Sequence, residues 1–309
     1  MPEFSELSKF FHPQAVNRVI GTYLYPYRLF GNPDYYDPYS ATEIISQVNA
    51  EGTEVLITRN GGLFVHIPSD ILDMKDTLVF QEIAADILNC IICEFAFKGI
   101  VSEPATPSHM STGSLIDNHA LIIAASGGRE SYLERSLAPT IRLVQGNWGM
   151  CQPCSLDIVH SIEKLECTSK LRQISKNIPT LVAGAYSFLS QRQIAEALND
   201  GWVVIEQIIN LLWDKHIASI IETPRKNRLS DSRTYTTAVR IEVLYISGVL
   251  SKHLYEALNI ARQHRNDLAH RAKITLEMAE QCLIAMKNII EFVCEVSVEP
   301  PIAHRSVNW

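Results

Sequence analysis

The chain contains no long apolar segment that is free of charge. Its most apolar stretch, residues 78–97, includes Glu82, Asp86 and Glu94, so we expect no transmembrane helix. The N-terminus is acidic and lacks both the basic start and the apolar run of a secretory signal. These two absences predict a soluble, cytoplasmic protein with no membrane partner.

Glycine and proline, with 14 of each in 309 residues, are too few for a collagen-like or low-complexity chain. Apolar residues make up 47% of the chain, enough for a sizeable core. The net charge of −7 is unevenly distributed. Residues 1–170 have 11 basic and 20 acidic side chains, whereas residues 222–273 have ten basic and five acidic ones. A nucleic-acid partner would therefore contact the C-terminal half, although an ordinary solvated surface explains the charge equally well.

Disulfide bonds are not expected, because the cysteines number seven and no secretory signal accompanies them. Cys151 and Cys154 are separated by two residues, with His160 and Cys167 nearby. Zinc needs four converging ligands, and this segment lacks a second close pair. We therefore expect free thiols and no metal or other cofactor. A zinc or thiol-redox site at Cys151 and Cys154 is the weaker alternative.

The first half is predicted to mix strands and helices. Apolar segments at residues 54–58 and 63–67 flank an Asn-Gly pair, which predicts a β-hairpin with positive φ at both turn positions. The apolar pattern then predicts a helix over residues 77–98 and a buried strand over residues 121–125.

From residue 155 onward the apolar pattern is helical. Ser190 is expected to cap a long helix, and Thr275 to cap a last one over residues 276–296. Between them we expect a polar, basic loop at residues 222–234 and a helical stretch at residues 241–261. Long amphipathic helices joined by loops predict an α-helical bundle.

The predicted fold class is therefore α+β. A mixed α/β domain of sensor or regulatory role is expected over residues 1–170, followed by a helical bundle over residues 171–309.

A polar segment at residues 264–271 lies just before the last predicted helix and contains Arg265, Asn266 and His270. Arginine, a polar residue, three further residues and histidine in this context resemble the HEPN family of small helical bundles. The resemblance covers about residues 179–297. It implies a metal-independent endoribonuclease that acts as a homodimer, with tRNA or mRNA as the target, in a bacterial toxin or an abortive-infection system against phages. A looser form of the pattern, with six residues between arginine and histidine instead of four, occurs at Arg59 and His66, but there it spans a hairpin rather than a helical bundle.

Metal-free RNA cleavage explains why these residue types are needed. His270 can exchange protons at neutral pH with the attacking ribose hydroxyl or with the leaving oxygen. Arg265 keeps its charge and can hold two phosphate oxygens as negative charge builds. The expected products are a 2′,3′-cyclic phosphate and a 5′-hydroxyl. Asn266 is expected to contact the phosphate or to support the segment, with helix capping by Asn266 and Asp267 as the alternative.

The five-residue spacing sets a geometric constraint. On an unbroken helix, Arg265 and His270 point about 140° apart and cannot hold one phosphate. Either the helix breaks at Asn266 and Asp267, or two copies of the motif meet across a two-fold axis. The family resemblance implies the second arrangement.

Several neighbouring residues are candidates for supporting roles. Glu206 lies beside an apolar stripe and is hypothesised to orient Arg265, while His264 is either an additional proton donor or a surface histidine. Basic side chains that could guide a phosphate backbone, or simply form a solvated loop, are Arg225, Lys226, Arg228 and Arg271. The acidic N-terminal domain would bind an antitoxin or a phage trigger protein. The competing hypothesis is a non-catalytic dimerisation module whose N-terminal domain binds such a partner.

Overall fold

The computed structural model describes residues 17–25, 28–31, 38–67, 74–124, 152–162, 164–219, 223–270 and 273–300. Cys151 and Arg271 lie outside these residues. Two compact units divide the chain, one within residues 1–95 and 102–165, the other within residues 96–101 and 166–309. Within the described residues, no helix is long and apolar enough to cross a membrane.

The first unit is built on a curled antiparallel sheet. Its strands, in chain order, are β1 Asn17–Tyr23, β2 Arg28–Phe30, β3 Ile44–Ala50, β4 Thr53–Thr58, β5 Gly62–His66, β6 Ser111–Ile116, β7 His119–Ala124 and β8 Gln152–Cys154. Six of them form one sheet in the order β3-β4-β5-β1-β6-β7, and β2 pairs with β8 in parallel. The two outer strands of the large sheet meet, because the Ala120 N–H donates to the Thr42 carbonyl at 3.0 Å. The sheet therefore closes on itself at this end.

Phe64 fills the inside of the curl, where it packs with Val19, Tyr23 and Leu56. Its ring meets the Tyr23 ring edge-on, with 5.8 Å between the ring centres. Gly21 makes this packing possible. A Cβ atom at position 21 would lie 2.0 Å from the Leu63 carbonyl oxygen and 2.7 Å from the Phe64 ring, so only glycine fits there.

The predicted hairpin is confirmed as β4 and β5, but its turn differs from the prediction. Only Gly61 has a positive φ in this loop, at 76°. The Gly61 N–H donates to the Thr58 carbonyl at 3.0 Å, and the Thr58 hydroxyl donates to the Asn60 side chain at 2.6 Å. The loop is thus longer than a two-residue turn, so Asn60 adopts ordinary backbone angles.

The helices of the first unit are short except for one. They are α1 Pro38–Ala41, α2 Met74–Phe97 and α3 Leu156–Ser161. The helix predicted over residues 77–98 is confirmed as α2, which begins three residues earlier. The strand predicted over residues 121–125 is confirmed as β7.

The second unit is a helical bundle, which confirms the predicted α+β fold class. Its helices are α4 Glu166–Ile174, α5 Ile178–Ser190, α6 Ile194–Ala218, α7 Thr223–Leu229, α8 Thr237–Ile246, α9 Lys252–Ala269 and α10 Leu276–Cys294. The long helix α6 packs against α5, α8, α9 and α10. Gly201 marks a close crossing, because a Cβ atom there would lie 3.1 Å from the Leu283 side chain on α10.

Three predictions about helix ends are wrong, and one is confirmed. Ser190 ends α5 instead of capping α6, and its hydroxyl donates to the Ser187 carbonyl at 2.7 Å. The expected loop at residues 222–234 contains α7. Pro224 does not prevent this helix, because a proline in the first helical turn loses no hydrogen bond. The stretch 241–261 is divided between α8 and α9 at Gly248, whose φ is 74°. Thr275 caps α10 as predicted.

Candidate functional site

Helix α9 carries the segment that resembles the HEPN motif. The Ser251 hydroxyl caps its start, and Leu254, Leu258 and Ala261 bury its inner face. The helix continues without a break to Ala269. Residues 264–269 therefore form the last turns of α9, whereas the sequence predicted that they would lie between the last two helices. A break at Asn266 and Asp267 is excluded, and neither residue caps a helix.

Arg265 lies on the same face of α9 as the buried residues Leu258 and Ala261, but nearer the end of the helix. It follows Ala261 by four residues and precedes Leu268 by three, which is the spacing of the inner face. Its side chain is nevertheless exposed, and it forms no hydrogen bond or ion pair within the described part of the chain. An unpaired guanidinium at the end of a buried stripe is free to bind an anionic ligand.

His270 ends α9, and its backbone N–H donates to the Asn266 carbonyl at 3.0 Å. Its imidazole is exposed and has no side-chain partner among the residues that are described. On an ideal helix, positions five residues apart diverge by about 140° and are separated by about 7.5 Å along the axis. Within the described residues, no hydrogen bond joins the side chains of Arg265 and His270.

His264 is neither a free surface histidine nor an available proton donor. Its Nε2 atom lies 2.6 Å from Oε1 of Gln281 on α10, and its Nδ1 atom is buried without a partner. Both ring nitrogens are thus withdrawn from a ligand in solvent. Gln281 was not anticipated, because it lies 17 residues away on another helix and no periodic pattern links the two positions.

Glu206 contacts Thr237 within the chain and not Arg265. The Thr237 hydroxyl donates to Oε1 of Glu206 at 2.7 Å, which joins α6 to the start of α8. The orienting role predicted for Glu206 therefore has no supporting contact in the monomer. Asn266 and Asp267 are half-buried on α9, and neither side chain has a hydrogen bond within the described residues.

The basic segment is a helix held on the bundle rather than a solvated loop. Trp213 on α6 donates from its indole N–H to the Leu229 carbonyl at the end of α7, at 3.1 Å. Tyr235 stacks on the same indole with 5.4 Å between ring centres, and the Arg240 guanidinium lies 5.8 Å from the ring centre. The sequence did not predict these contacts of Trp213, because the residue fits the apolar period of α6 and so resembles an ordinary core residue.

The side chains on α7 remain available to a ligand. Arg225 and Arg228 are exposed, Lys226 is half-buried, and none of the three has an ion-pair partner in the described ranges. No hydrogen bond or ion pair in those ranges links α7 to the motif on α9. Arg271, the fourth predicted RNA-binding residue, falls outside the described residues.

At the looser match to the motif, both side chains are engaged in structural contacts. Arg59 forms an ion pair with Glu43 at 2.5 Å, and His66 lies 3.6 Å from the Glu54 carboxylate. Both matches were visible in the sequence, and only Arg265 and His270 keep their side chains free in the part of the chain that is described.

The cysteines that the structure describes are free thiols. Cys154 lies beside Arg28, and burial raises the pKa of its thiol while that guanidinium lowers it in part. Burial also raises the pKa of Cys282 to about 12. No three His, Cys, Asp or Glu side chains among the described residues converge as metal ligands. Cys151 lies outside them, so the zinc alternative stays a prediction.

Comparison of the chain with protein-family models, with curated proteins and with solved structures gives no match.

Proposed function

We propose that this protein is a metal-independent endoribonuclease of HEPN type, in which two copies place Arg265 and His270 around one RNA phosphodiester. One observation carries the proposal: an exposed, unpaired guanidinium continues the buried stripe of α9, five residues before an exposed imidazole. Leu254 and Leu258 on this face of α9 are buried in the bundle, whereas the Arg265 guanidinium at its end is exposed. An exposed guanidinium in this position can bind a ligand and contributes little to the core.

The reaction would proceed by internal transfer. The ribose 2′-oxygen loses a proton to an imidazole and attacks the adjacent phosphorus, while the bond from phosphorus to the 5′-oxygen breaks. A protonated imidazole supplies the proton that the 5′-oxygen gains. Arg265 stabilises the charge on the non-bridging oxygens. The products are a 2′,3′-cyclic phosphate and a 5′-hydroxyl, so the substrate must be RNA.

A second copy supplies what one helix cannot. Arg265 and His270 diverge by about 140° on α9, so a phosphate held by Arg265 is out of reach of the same chain's His270. A two-fold dimer is the commonest symmetric assembly and gives both motifs equivalent surroundings. Each of the two equivalent sites then has one imidazole, which accepts the proton of the 2′-hydroxyl and, once protonated, donates a proton to the 5′-oxygen as its bond to phosphorus breaks.

The wider setting follows from the same proposal. The cations of α7, Arg225, Lys226 and Arg228, would hold the backbone of a tRNA or mRNA, and Arg271 would extend that surface. The enzyme would act in the cytoplasm as a toxin or in abortive infection. Its N-terminal unit would bind an antitoxin or a phage trigger protein.

The test compares cleavage of total RNA, with a chelator present, by the purified protein and by variants. Arg265→Ala and His270→Ala are each expected to slow cleavage by about 100-fold or more. Arg262→Ala, one turn earlier, and His253→Ala, at the other end of α9, serve as matched controls and should retain activity. Wild-type rates in both motif variants would contradict the proposal.

A non-catalytic interaction module is the second candidate, favoured by exposed apolar side chains on the bundle. Ile246 is 74% exposed, and Ile260 and Ile284 are 41% and 37% exposed. Exposed apolar side chains mark a protein contact surface when they form one contiguous patch. Identical RNA patterns from the wild type and both motif variants, with dimerisation intact, would support this reading.

A further inference from the structure

The last turns of α9 have little apolar packing to hold them. Leu254, Leu258 and Ala261 are buried, but every residue from 262 to 270 is exposed or only half-buried. Helix ends that lack buried apolar contacts open with low free energy. Something other than the core must therefore fix the direction of the side chains on this segment.

One side-chain hydrogen bond between α9 and α10 holds this segment in place. The hydrogen bond from His264 to Gln281, at 2.6 Å, is the one side-chain hydrogen bond between α9 and α10 within the described residues. It lies one residue before Arg265 and six before His270. The Nδ1 atom of His264 is buried, and the residue as a whole is half-buried.

We infer that His264 is a positioning residue, which fixes the end of α9 on α10 and so sets the directions of Arg265 and His270. The anchoring follows from the contact itself, whereas its consequence for catalysis rests on the proposed function. His264 acts here through Gln281 and does not touch the substrate. Loss of one hydrogen bond of ordinary net strength is expected to change both amide exchange at the end of α9 and kcat by roughly threefold to tenfold.

Hydrogen exchange tests the anchoring without any need for activity. In full-length His264→Ala and Gln281→Ala, the amides of residues 266–270 are expected to exchange about threefold to tenfold faster, with residues 256–261 unchanged. The double variant should exchange no faster than either single variant, because both remove the same contact. His264→Gln should restore slow exchange, since its amide can donate to Gln281. His253→Ala is the matched control.

Kinetics on the same variants then test the consequence. His264→Ala should lower kcat by about the same factor and leave KM unchanged, and His264→Gln should restore kcat. Unchanged exchange at residues 266–270, or faster exchange along all of α9, would overturn the inference whatever the activity. Faster exchange with an unaltered kcat would refute the catalytic role. A wild type that does not cleave RNA, with the exchange result as expected, would reject the proposed function while supporting the anchor.

Discussion

Heterodimers made from two different variants test whether the reacting pair comes from two chains. In a dimer of Arg265→Ala with His270→Ala, one chain keeps His270 and the other keeps Arg265. If each site combines Arg265 of one copy with His270 of the other, one of the two sites stays intact. We expect this combination because two positions five residues apart on an ideal helix diverge by about 140°. The heterodimer should then cleave RNA at about half the wild-type rate per dimer, because the two sites are equivalent by symmetry.

A second heterodimer separates the two arrangements. When the wild-type chain is paired with the Arg265→Ala/His270→Ala double variant, neither composite site is complete, so cleavage should be lost. A site within one chain would instead leave half of the activity in this dimer.

The assay uses co-expressed chains with two different tags, so that only mixed dimers are purified. Cleavage is followed on one labelled RNA, and each homodimer is measured beside the mixtures. Activity in the second heterodimer together with none in the first would refute the composite site.

Three further predictions concern the surroundings of the site and the fold. Gly21→Ala should lower the free energy of unfolding by about 3 kcal/mol or more, because the new Cβ atom would overlap backbone atoms. Gly52→Ala meets open space and should lower it by about 1 kcal/mol, because Gly52 has a φ of 81°. Denaturant titration measures both values. Cys282, whose pKa burial raises to about 12, should resist alkylation at pH 8 until the chain unfolds, as mass spectrometry would show. Arg225→Ala/Arg228→Ala should weaken RNA binding and reduce its salt dependence by about one to two in log–log slope, and a slope equal to that of wild type would exclude these contacts.

The sequence predicted the architecture well where patterns are local. The apolar segments on either side of Asn60 and Gly61 located the hairpin of β4 and β5, and the capping residue Thr275 located the start of α10. Helix ends were less predictable. Gly248 and Ser251 divide one apolar period into two helices, because a left-handed residue and a new cap override a continuous apolar stripe.

The site was predictable only in part, because its residues are local in sequence while their partners are not. Arg265 and His270 were proposed from the motif in the sequence, and the structure shows that α9 is unbroken up to Ala269. The contact between His264 and Gln281, and that between Glu206 and Thr237, join different helices. Such pairs depend on the packing of the bundle, which a single sequence does not specify.

The ends of RNA cut by the purified protein in the presence of a chelator test the central idea most directly. Transfer through the ribose hydroxyl predicts a 2′,3′-cyclic phosphate on one fragment and a 5′-hydroxyl on the other, with neither formed by Arg265→Ala or His270→Ala. Fragments with a 5′-phosphate and a 3′-hydroxyl, or cleavage that stops when divalent metal is removed, would contradict the account.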